Sequence, residues 1–152
     1  MTPLRIRSSV VAERISWIRS MTGSIQKLPL ASYDEFISDP RNVAAAESYL
    51  RRCIEALLDL GRHILSKGFG IAVSEYKEIG MRLTEEQVLS PDYGDLLRRI
   101  AGYRNRMVHF YSEVSQLELY QLCTRYLNDI EVILNALISW TRNNPSKMDG
   151  QI

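Results

Sequence analysis

The stretch NVAAAESYLRRCIEALLDLGRHILSK, residues 42–67, decides the fold because it predicts a long helix with an unusually wide apolar face. Asn42 is a favourable N-cap residue, and Gly68 is typical of a C-terminal stop. Apolar side chains recur at helical spacing at Val43, Ala46, Leu50, Cys53, Leu57 and Ile64, and Ile54, Leu58 and Leu65 widen the stripe. A stripe of this width indicates a helix that is buried on more than one side.

The chain before this helix predicts another long helix over about residues 9–28, which Pro29 ends. A short helical turn should follow, because Ser32 and Glu35 have the spacing of a capping box. Asp39-Pro40 then interrupts the chain. The N-terminal part is therefore expected to supply one long helix and one short one.

The chain after the central helix begins with a connector, residues 69–90, in which Ser74 and Thr84 are candidate caps of short helical pieces. Ser90-Pro91-Asp92 is the clearest helix start in the chain, because it places an N-cap, a proline and an early acid in order. This third long helix should end near His109. A fourth, capped by Ser115, should continue to about residues 143–145.

The totals fit one helical domain. The chain has 152 residues, of which 45% are hydrophobic, and its eight glycines and five prolines lie mostly between the long runs. We therefore predict an all-α protein, an antiparallel four-helix bundle with one or two short extra helices. The domain should span residues 1–145, and the polar residues 146–152 should form a flexible tail.

Charge, cysteine content and hydrophobicity constrain the partners and the cellular location that we expect for the protein. Nineteen basic and eighteen acidic residues give a formal charge of +1, so net charge does not decide for or against nucleic acid. Cys53 and Cys123 lie in apolar helical patterns, which favours two buried thiols over a disulfide. No run approaches the roughly 20 apolar residues that span a bilayer, so we expect no membrane partner and a cytoplasmic location.

Chemistry concentrates in the stretch RNRMVHFY, residues 104–111, which holds one of the two histidines in the chain. His109 can exchange protons near neutral pH, and Arg104 can hold a phosphate or a developing negative charge. Such a pair could cut a phosphodiester without a metal ion or cofactor. Taken alone, however, a single histidine on a helix is more often structural than catalytic, and Tyr111 alone is more often a packing residue.

Helical spacing places Asn105, but not Arg104, on the same face as His109. Asn105 and His109 are four residues apart and share a face, so the amide could orient the imidazole. Arg104 and His109 are five apart, about 140° around a straight helix. One site can still contain both groups if the helix loosens before His109, if the long Arg104 side chain wraps round, or if a second copy of the chain faces this one across a dimer axis.

The surroundings of the motif are basic. Arg98, Arg99, Arg104 and Arg106 fall within one short segment, and no carboxylate occurs between Asp95 and Glu113. This pattern is typical of a surface that binds a phosphate-bearing partner. A solvated helix face is the alternative for Arg98 and Arg99.

Two segments resemble a known family. Arg104, His109 and Tyr111 match the arginine, four residues, histidine, any residue, tyrosine motif of HepT-like toxins in the HEPN superfamily, and Asn105 directly after the arginine is also typical. The run from Glu47 through Asp59 to Ile64 is similar to the family's second characteristic segment. The resemblance covers roughly residues 10–140, and the two segments together are far more specific than the motif alone.

The resemblance implies a metal-independent endoribonuclease that acts as the toxin of a type VII toxin–antitoxin pair. It implies a homodimer and a minimal nucleotidyltransferase antitoxin that transfers AMP to Tyr111. Arg104 and His109 would be catalytic and Asn105 supporting, with Arg98, Arg99 and Arg106 as candidate RNA contacts and no metal or cofactor. A ribose 2′-hydroxyl nucleophile would make DNA inert.

Other interpretations stay open. The chain could be a non-catalytic HEPN module that binds a nucleotide or a nucleotidyltransferase, although a degenerate module would be expected to have lost a motif residue. A metal enzyme in the bundle core is poorly supported, because neither His63 nor His109 follows a glutamate at the required spacing. Asp59 and His63 share a helix face, and we interpret them as a structural pair rather than a catalytic one.

Overall fold

The structure is a computed structural model that describes residues 4–109 and 114–152. Seven α-helices and one short 3-10 turn lie in these residues. They are α1 Ser8–Gln26, α2 Tyr33–Ile37, α3 Pro40–Phe69, α4 Tyr76–Glu85, α5 Pro91–Val108, α6 Gln116–Thr124, α7 Leu127–Asn143 and the 3-10 turn Pro145–Lys147. The predicted all-α fold is confirmed, with α1, α3, α5 and α7 as its four long helices.

Helix α3 is the centre of the fold. It packs against each of the other three long helices and also against α2, α4 and α6. Its fully buried side chains include Cys53, Leu57, Leu58, Leu60, Ile64 and Leu65. The wide apolar stripe in the sequence therefore corresponds to burial on several sides, as predicted.

The ends of α3 differ from the sequence prediction by a few residues. The N-cap is Asp39 rather than Asn42, because the Asp39 carboxylate accepts a hydrogen bond from the amide of Arg41 and Pro40 occupies the first turn. The C-cap is Gly70 rather than Gly68, because Gly70 adopts the left-handed conformation with φ 67°. Gly68 continues the helix and packs beside Ile6.

Three predicted serine caps are confirmed, whereas a predicted threonine cap is wrong. The side chains of Ser32, Ser90 and Ser115 each accept a backbone amide in the first turn of α2, α5 and α6. Thr84 instead lies inside α4, where its hydroxyl donates to the carbonyl of Gly80. The Ser74 cap is also displaced, because α4 begins after Glu75.

The predicted fourth helix is divided into α6 and α7. The hydroxyl of Thr124 donates back to the carbonyl of Tyr120, an interaction that competes with regular helix bonding. Tyr126 then leaves helical geometry, with φ −114° and ψ 1°, before α7 begins. The apolar period of the sequence continues through both helices, so it does not reveal the break between them.

Two glycines let α4 and α5 approach closely. A Cβ on Gly80 would collide with the carbonyl oxygen of Gly94, and one on Gly94 would collide with the hydroxyl of Thr84. Backbone therefore packs directly on backbone at this crossing. The close approach fixes the position of α4 over α5, which carries the motif.

The predicted flexible tail contains residues that pack on the domain. Met148 is 5% exposed and forms an isolated parallel bridge with Ile6. The ammonium group of Lys147 donates a hydrogen bond to the carbonyl of Gly68. The carboxylate of Asp149 accepts a hydrogen bond from the backbone amide of Ser8. Residues 147–149 of the predicted tail therefore contact the end of α3 and the N-terminal segment, which are too distant in sequence for these contacts to be predicted.

The two cysteines are buried free thiols, as predicted. Burial raises the pKa of Cys53 to about 12, with the nearby carboxylate of Glu131 adding to the effect, and burial alone raises the pKa of Cys123 to about 12. None of the helices described here has the length and apolar character needed to cross a bilayer.

Candidate active site

Helix α5 positions the motif. Ser90 and Pro91 start the helix, and Arg104, Asn105 and Arg106 lie in its last turns. His109 is the C-cap, with an extended conformation at φ −92° and ψ 122°, while its amide still donates to the carbonyl of Asn105 at 3.1 Å. The imidazole thus projects from the point where the helix ends, and it is exposed.

One cavity of about 540 Å³ brings the motif residues together. Its lining consists of Arg62, Ser74, Glu75, Tyr76, Lys77, Arg104, Asn105 and His109. Arg104 and His109 therefore share a cavity within a single chain, in spite of their five-residue spacing. Of the three arrangements considered from the sequence, the end of the helix at His109 removes the need for a second chain to bring the two groups to one cavity.

The Arg104 guanidinium is held by three neighbours. It lies over the ring of Tyr76, with 4.8 Å from Cζ to the ring centroid, and its Nη1 donates to Oδ1 of Asn105 at 3.3 Å. Its Nη2 is 3.7 Å from Oε2 of Glu55 on α3. The side chain is 24% exposed, so it is partly buried yet open to the cavity.

Asn105 contacts one of the two predicted catalytic groups. It lines the same cavity as Arg104 and His109, and the side-chain hydrogen bond that the structure gives it goes to Arg104. The predicted role of Asn105 was to orient His109 instead. The amide is thus placed to hold the guanidinium, and its orientation of the imidazole stays a prediction.

A second cavity of about 440 Å³ adjoins the first. The two cavities share Lys77, Asn105 and His109, and the second adds Arg99, Gly102, Tyr103 and Arg106. Gly102 leaves an open floor, since a Cβ there would meet only the Cε atom of Lys77, at 3.8 Å. We refer to the two neighbouring cavities together as the cleft, and His109 is one of the three residues that line both of them.

The other predicted RNA contacts differ in their availability. Arg106 forms a two-pronged ion pair with Glu118, one arm of which measures 2.9 Å from Nη2 to Oε2. Arg98 and Arg99 both pair with Asp95, at 3.2 and 3.4 Å, and both are more than half exposed. Arg99 and Arg106 line the second cavity, whereas Arg98 lines neither cavity.

Asp59 and His63 do not act as a pair. Oδ1 of Asp59 accepts the hydroxyl of Tyr76 at 2.9 Å and lies 3.7 Å from Nη1 of Arg62. His63 instead accepts the amide of Arg7 at its Nε2, at 3.0 Å. Asp59 thus contacts two residues that line the motif cavity, Tyr76 and Arg62, while His63 fastens the N-terminal segment.

The electrostatics of His63 agree with this structural role. Burial lowers the pKa of His63, and the positive charges of Lys67, Arg7 and Arg14 lower it further, against an opposing effect of Asp149. A neutral imidazole is required for Nε2 to accept a hydrogen bond. His63 is therefore held in the form that its contact with Arg7 requires.

The cleft also contains charged and aromatic residues that were not predicted as site residues, among them Arg62, Tyr76 and Lys77. Tyr76 and Lys77 lie in the connector, residues 69–90, where the sequence predicts no site residue. Arg62 lies one helical turn after Asp59 in the central helix. No local pattern marks them, because they reach the motif only through the packing of α3, α4 and α5. Tyr111, the predicted AMP acceptor, lies outside the described residues.

In the parts of the chain that the structure describes, 4–109 and 114–152, no three histidine, cysteine, aspartate or glutamate side chains are grouped in a way that could hold a metal ion.

A family model described as Ribonuclease HepT-like matches residues 13–137. The chain therefore belongs to the HepT-like ribonuclease family, which confirms the resemblance seen in the sequence and places the chain among RNA-cleaving enzymes. The match includes α3, α4, α5 and the whole cleft.

Two relatives carry names of the same kind. A tRNA nuclease HepT from Aphanizomenon flos-aquae is 25% identical over 136 residues, which cover 89% of this chain and 92% of the relative. An mRNA nuclease HepT from Shewanella oneidensis is 27% identical over 89 residues, covering 58% of this chain and 66% of the relative. The two names differ in the class of RNA.

Solved structures share the fold. A tri-AMPylated HEPN toxin of Shewanella oneidensis, in complex with an MNT antitoxin, superposes with a TM-score of 0.78 at 21% identity, covering 86% of this chain and 97% of that chain. A toxin–antitoxin structure with AMP-PNP gives a TM-score of 0.77 at 20% identity, covering 87% and 99%. At this level of identity the likeness establishes the helical fold.

Proposed function

We propose that this chain is a cytoplasmic endoribonuclease that needs no metal ion and acts as the toxin of a type VII toxin–antitoxin pair. The observation that carries the proposal is the lining of one cavity by Arg104, Asn105 and His109. A proton-transfer group and a phosphate-binding group thereby meet in a space that is open to a polymer.

The proposed reaction is an internal transfer at an RNA phosphate. His109 takes the proton of a ribose 2′-hydroxyl, whose oxygen attacks the neighbouring phosphorus as the bond to the 5′-oxygen breaks. The leaving 5′-oxygen takes a proton from a protonated His109 imidazole or from water, and the products are a 2′,3′-cyclic phosphate and a 5′-hydroxyl end. Arg104 binds the phosphate and stabilises the charge that gathers on its oxygens. DNA lacks the nucleophile and is not a substrate.

The basic residues of the cleft support binding of RNA. Lys77 lines both cavities and Arg62 lines the first, so both add to the predicted contacts of Arg99 and Arg106. Arg106 enters the interface as part of an ion pair with Glu118. Arg98 lies nearer the start of α5 than the motif does, and it would contact the flanking backbone of a longer RNA.

Regulation of this activity is proposed to involve Tyr111, which follows His109 by two residues. AMP groups there would place bulk and negative charge beside the cleft and oppose RNA by sterics and repulsion. The printed description of the Shewanella toxin as tri-AMPylated and bound to an MNT antitoxin supports a nucleotidyltransferase as the partner. A homodimer remains part of the proposal, and light scattering on the purified protein tests it.

The activity is tested by incubating purified protein with RNA in the presence of a chelator. We expect cleavage by the wild type, a fall of about a hundredfold or more in His109→Ala, and a fall of about tenfold or more in Arg104→Lys. Arg52→Lys, an exposed arginine on α3 that lines neither cavity, is the matched control and should cleave normally.

The end groups distinguish the proposed reaction from contamination. The products should carry 2′,3′-cyclic phosphates, and a substrate with a single 2′-deoxyribose at the cut site should resist cleavage. Equal cutting by the wild type and His109→Ala would remove His109 from the mechanism. Binding of RNA without cleavage would favour the non-catalytic HEPN module.

A further inference from the structure

Two contacts in series connect Asp59, Tyr76 and the Arg104 guanidinium, which lie on three different helices. Asp59 on α3 accepts the hydroxyl of Tyr76 on α4 at 2.9 Å. The ring of Tyr76 in turn lies 4.8 Å from Cζ of Arg104 on α5. Each partner comes from a different helix, so the contact exists only in the folded protein.

The ring of Tyr76 is suited to hold a cation. An aromatic face attracts a guanidinium through its quadrupole and leaves the in-plane N–H groups free to bind other partners. Arginine has many rotamers, and a side chain that is already fixed loses less entropy when it binds a phosphate. A ring under Arg104 therefore favours a preorganised phosphate-binding group.

The hydroxyl of Tyr76 keeps the ring in place. Burial raises the pKa of Tyr76, and the hydrogen bond to Asp59 raises it further. The phenol therefore stays protonated at neutral pH and keeps donating to Asp59. Rotation of the ring away from Arg104 would break this hydrogen bond and leave the Asp59 oxygen without its donor.

The same ring contacts a second cation. Cζ of Arg62 lies 4.7 Å from the centroid of Tyr76, and both arginines line the motif cavity. Glu55 lies 3.7 Å from Arg104 and Asp59 lies 3.7 Å from Arg62, so each guanidinium has a carboxylate beside it. These carboxylates offset the repulsion between two like charges around one ring.

We propose that Tyr76, anchored by Asp59, is a positioning residue that holds the Arg104 guanidinium at the cavity for the scissile phosphate. The catalytic consequence rests on the proposed function of Arg104, whereas the positioning itself is a property of the free protein. The two parts can therefore be tested separately.

A double-mutant cycle tests the catalytic consequence. Tyr76→Leu removes the ring and should lower kcat about tenfold, the scale of a cation–π contact of this kind. In an Arg104→Met background the same change should lower the residual rate by no more than about twofold, because the group that the ring positions is absent. A general loss of folded protein would instead lower both rates by the same factor.

Conservative variants keep the test sharp if Tyr76→Leu folds poorly. Tyr76→Trp retains an aromatic face and should keep more activity than Tyr76→Leu, while Tyr76→Phe, which loses only the anchor on Asp59, should fall between the wild type and Tyr76→Leu. Tyr126→Leu is the matched control, since Tyr126 is exposed and lines neither cavity. It should retain the wild-type rate.

NMR tests the positioning without any RNA. The side-chain protons of Arg104 should show the upfield shift of a group over an aromatic ring, and Tyr76→Leu should remove it. The proposal would be overturned if the upfield shift were retained in Tyr76→Leu. It would also be overturned if Tyr76→Leu lowered the rate by the same factor in the wild type and in the Arg104→Met background. Absence of cleavage by the wild type would overturn the proposed function, and the NMR result would still decide whether Tyr76 holds Arg104.

Discussion

The imidazole of His63 accepts a hydrogen bond at Nε2 from the backbone amide of Arg7, at 3.0 Å. This contact joins α3 to the residue that precedes α1, and Asp149 binds the neighbouring amide of Ser8. The two histidines of the chain are thereby separated in role. His63 stabilises the fold, and His109 is left exposed at the cleft.

The stability of the protein should decrease as the pH falls below about 6.5. Burial and nearby cations lower the pKa of His63 in the folded state, so the unfolded chain binds this proton more readily. The contribution is therefore fully present above the unfolded pKa and is lost as the pH falls toward the folded pKa. Urea unfolding at about pH 7.5 and about pH 5.5 measures the change.

His63→Gln is the control for this prediction. A glutamine oxygen can accept the Arg7 amide but does not titrate, so the variant should show a smaller loss of stability over the same range. Asp39 and Asp149 also have lowered pKa values, but their effects begin only at more acidic pH. Equal pH dependence in the variant and the wild type would show that His63 is not the titrating group.

Gly94→Ala should destabilise the fold by about 1–3 kcal/mol, because the added Cβ meets the hydroxyl of Thr84 and the carbonyl of Gly80 at a tight helix crossing. Gly23→Ala is the matched control within α1, where nothing lies within 4 Å of the new Cβ. It should stabilise the protein by about 0.5–1 kcal/mol through helix propensity. Urea unfolding of the three proteins decides between these effects, and destabilisation by both alanines alike would contradict the close crossing.

Lys77→Met should weaken RNA binding and lower the salt dependence of the dissociation constant. One lost phosphate contact reduces the slope by about 0.7 for single-stranded RNA. Titrations at several salt concentrations, in a His109→Ala background that prevents cleavage, measure the slope. Lys27→Met, an exposed lysine at the end of α1, removes the same charge outside the cleft and should leave the slope unchanged.

Tyr111→Phe should abolish the transfer of AMP by a cognate nucleotidyltransferase while leaving RNA cleavage largely intact. The physical reason is the loss of the only atom of that side chain that can accept AMP, with the ring retained. Co-expression with the nucleotidyltransferase followed by intact-mass spectrometry measures the increments. Increments of unchanged size in Tyr111→Phe would move the modification to another residue.

The central helix and the motif helix could be predicted from the sequence because their signals are local. The stripe from Ala46 to Leu65 required burial on several sides, and Ser90 with Pro91 fixed the start of α5. Helix propensity, capping and apolar period all depend on residues within a few positions of one another. The break between α6 and α7 was not predicted, because the apolar period continues across Tyr126.

The surroundings of Arg104 could not be predicted in the same way. Glu55, Tyr76 and Arg104 come from three helices, and their contacts depend on how closely α4 packs on α5 at Gly80 and Gly94. A glycine in a sequence does not reveal which backbone it will face. For this reason the sequence does not predict that Tyr76 and Lys77 line the same cleft as the motif.

By itself the sequence determined the helical class, the central place of α3, the family and the residues of the motif, because short-range spacing encodes each of these. Only the tertiary structure decided that Arg104 and His109 share one cavity in a single chain. It also decided that the ring of Tyr76 lies against the Arg104 guanidinium and that His63 binds the backbone amide of Arg7. The last two relations join residues that are far apart in the chain, and the packing of the helices sets their distances. The first depends on where α5 ends and on the walls that Arg62 and residues 74–77 supply around the motif.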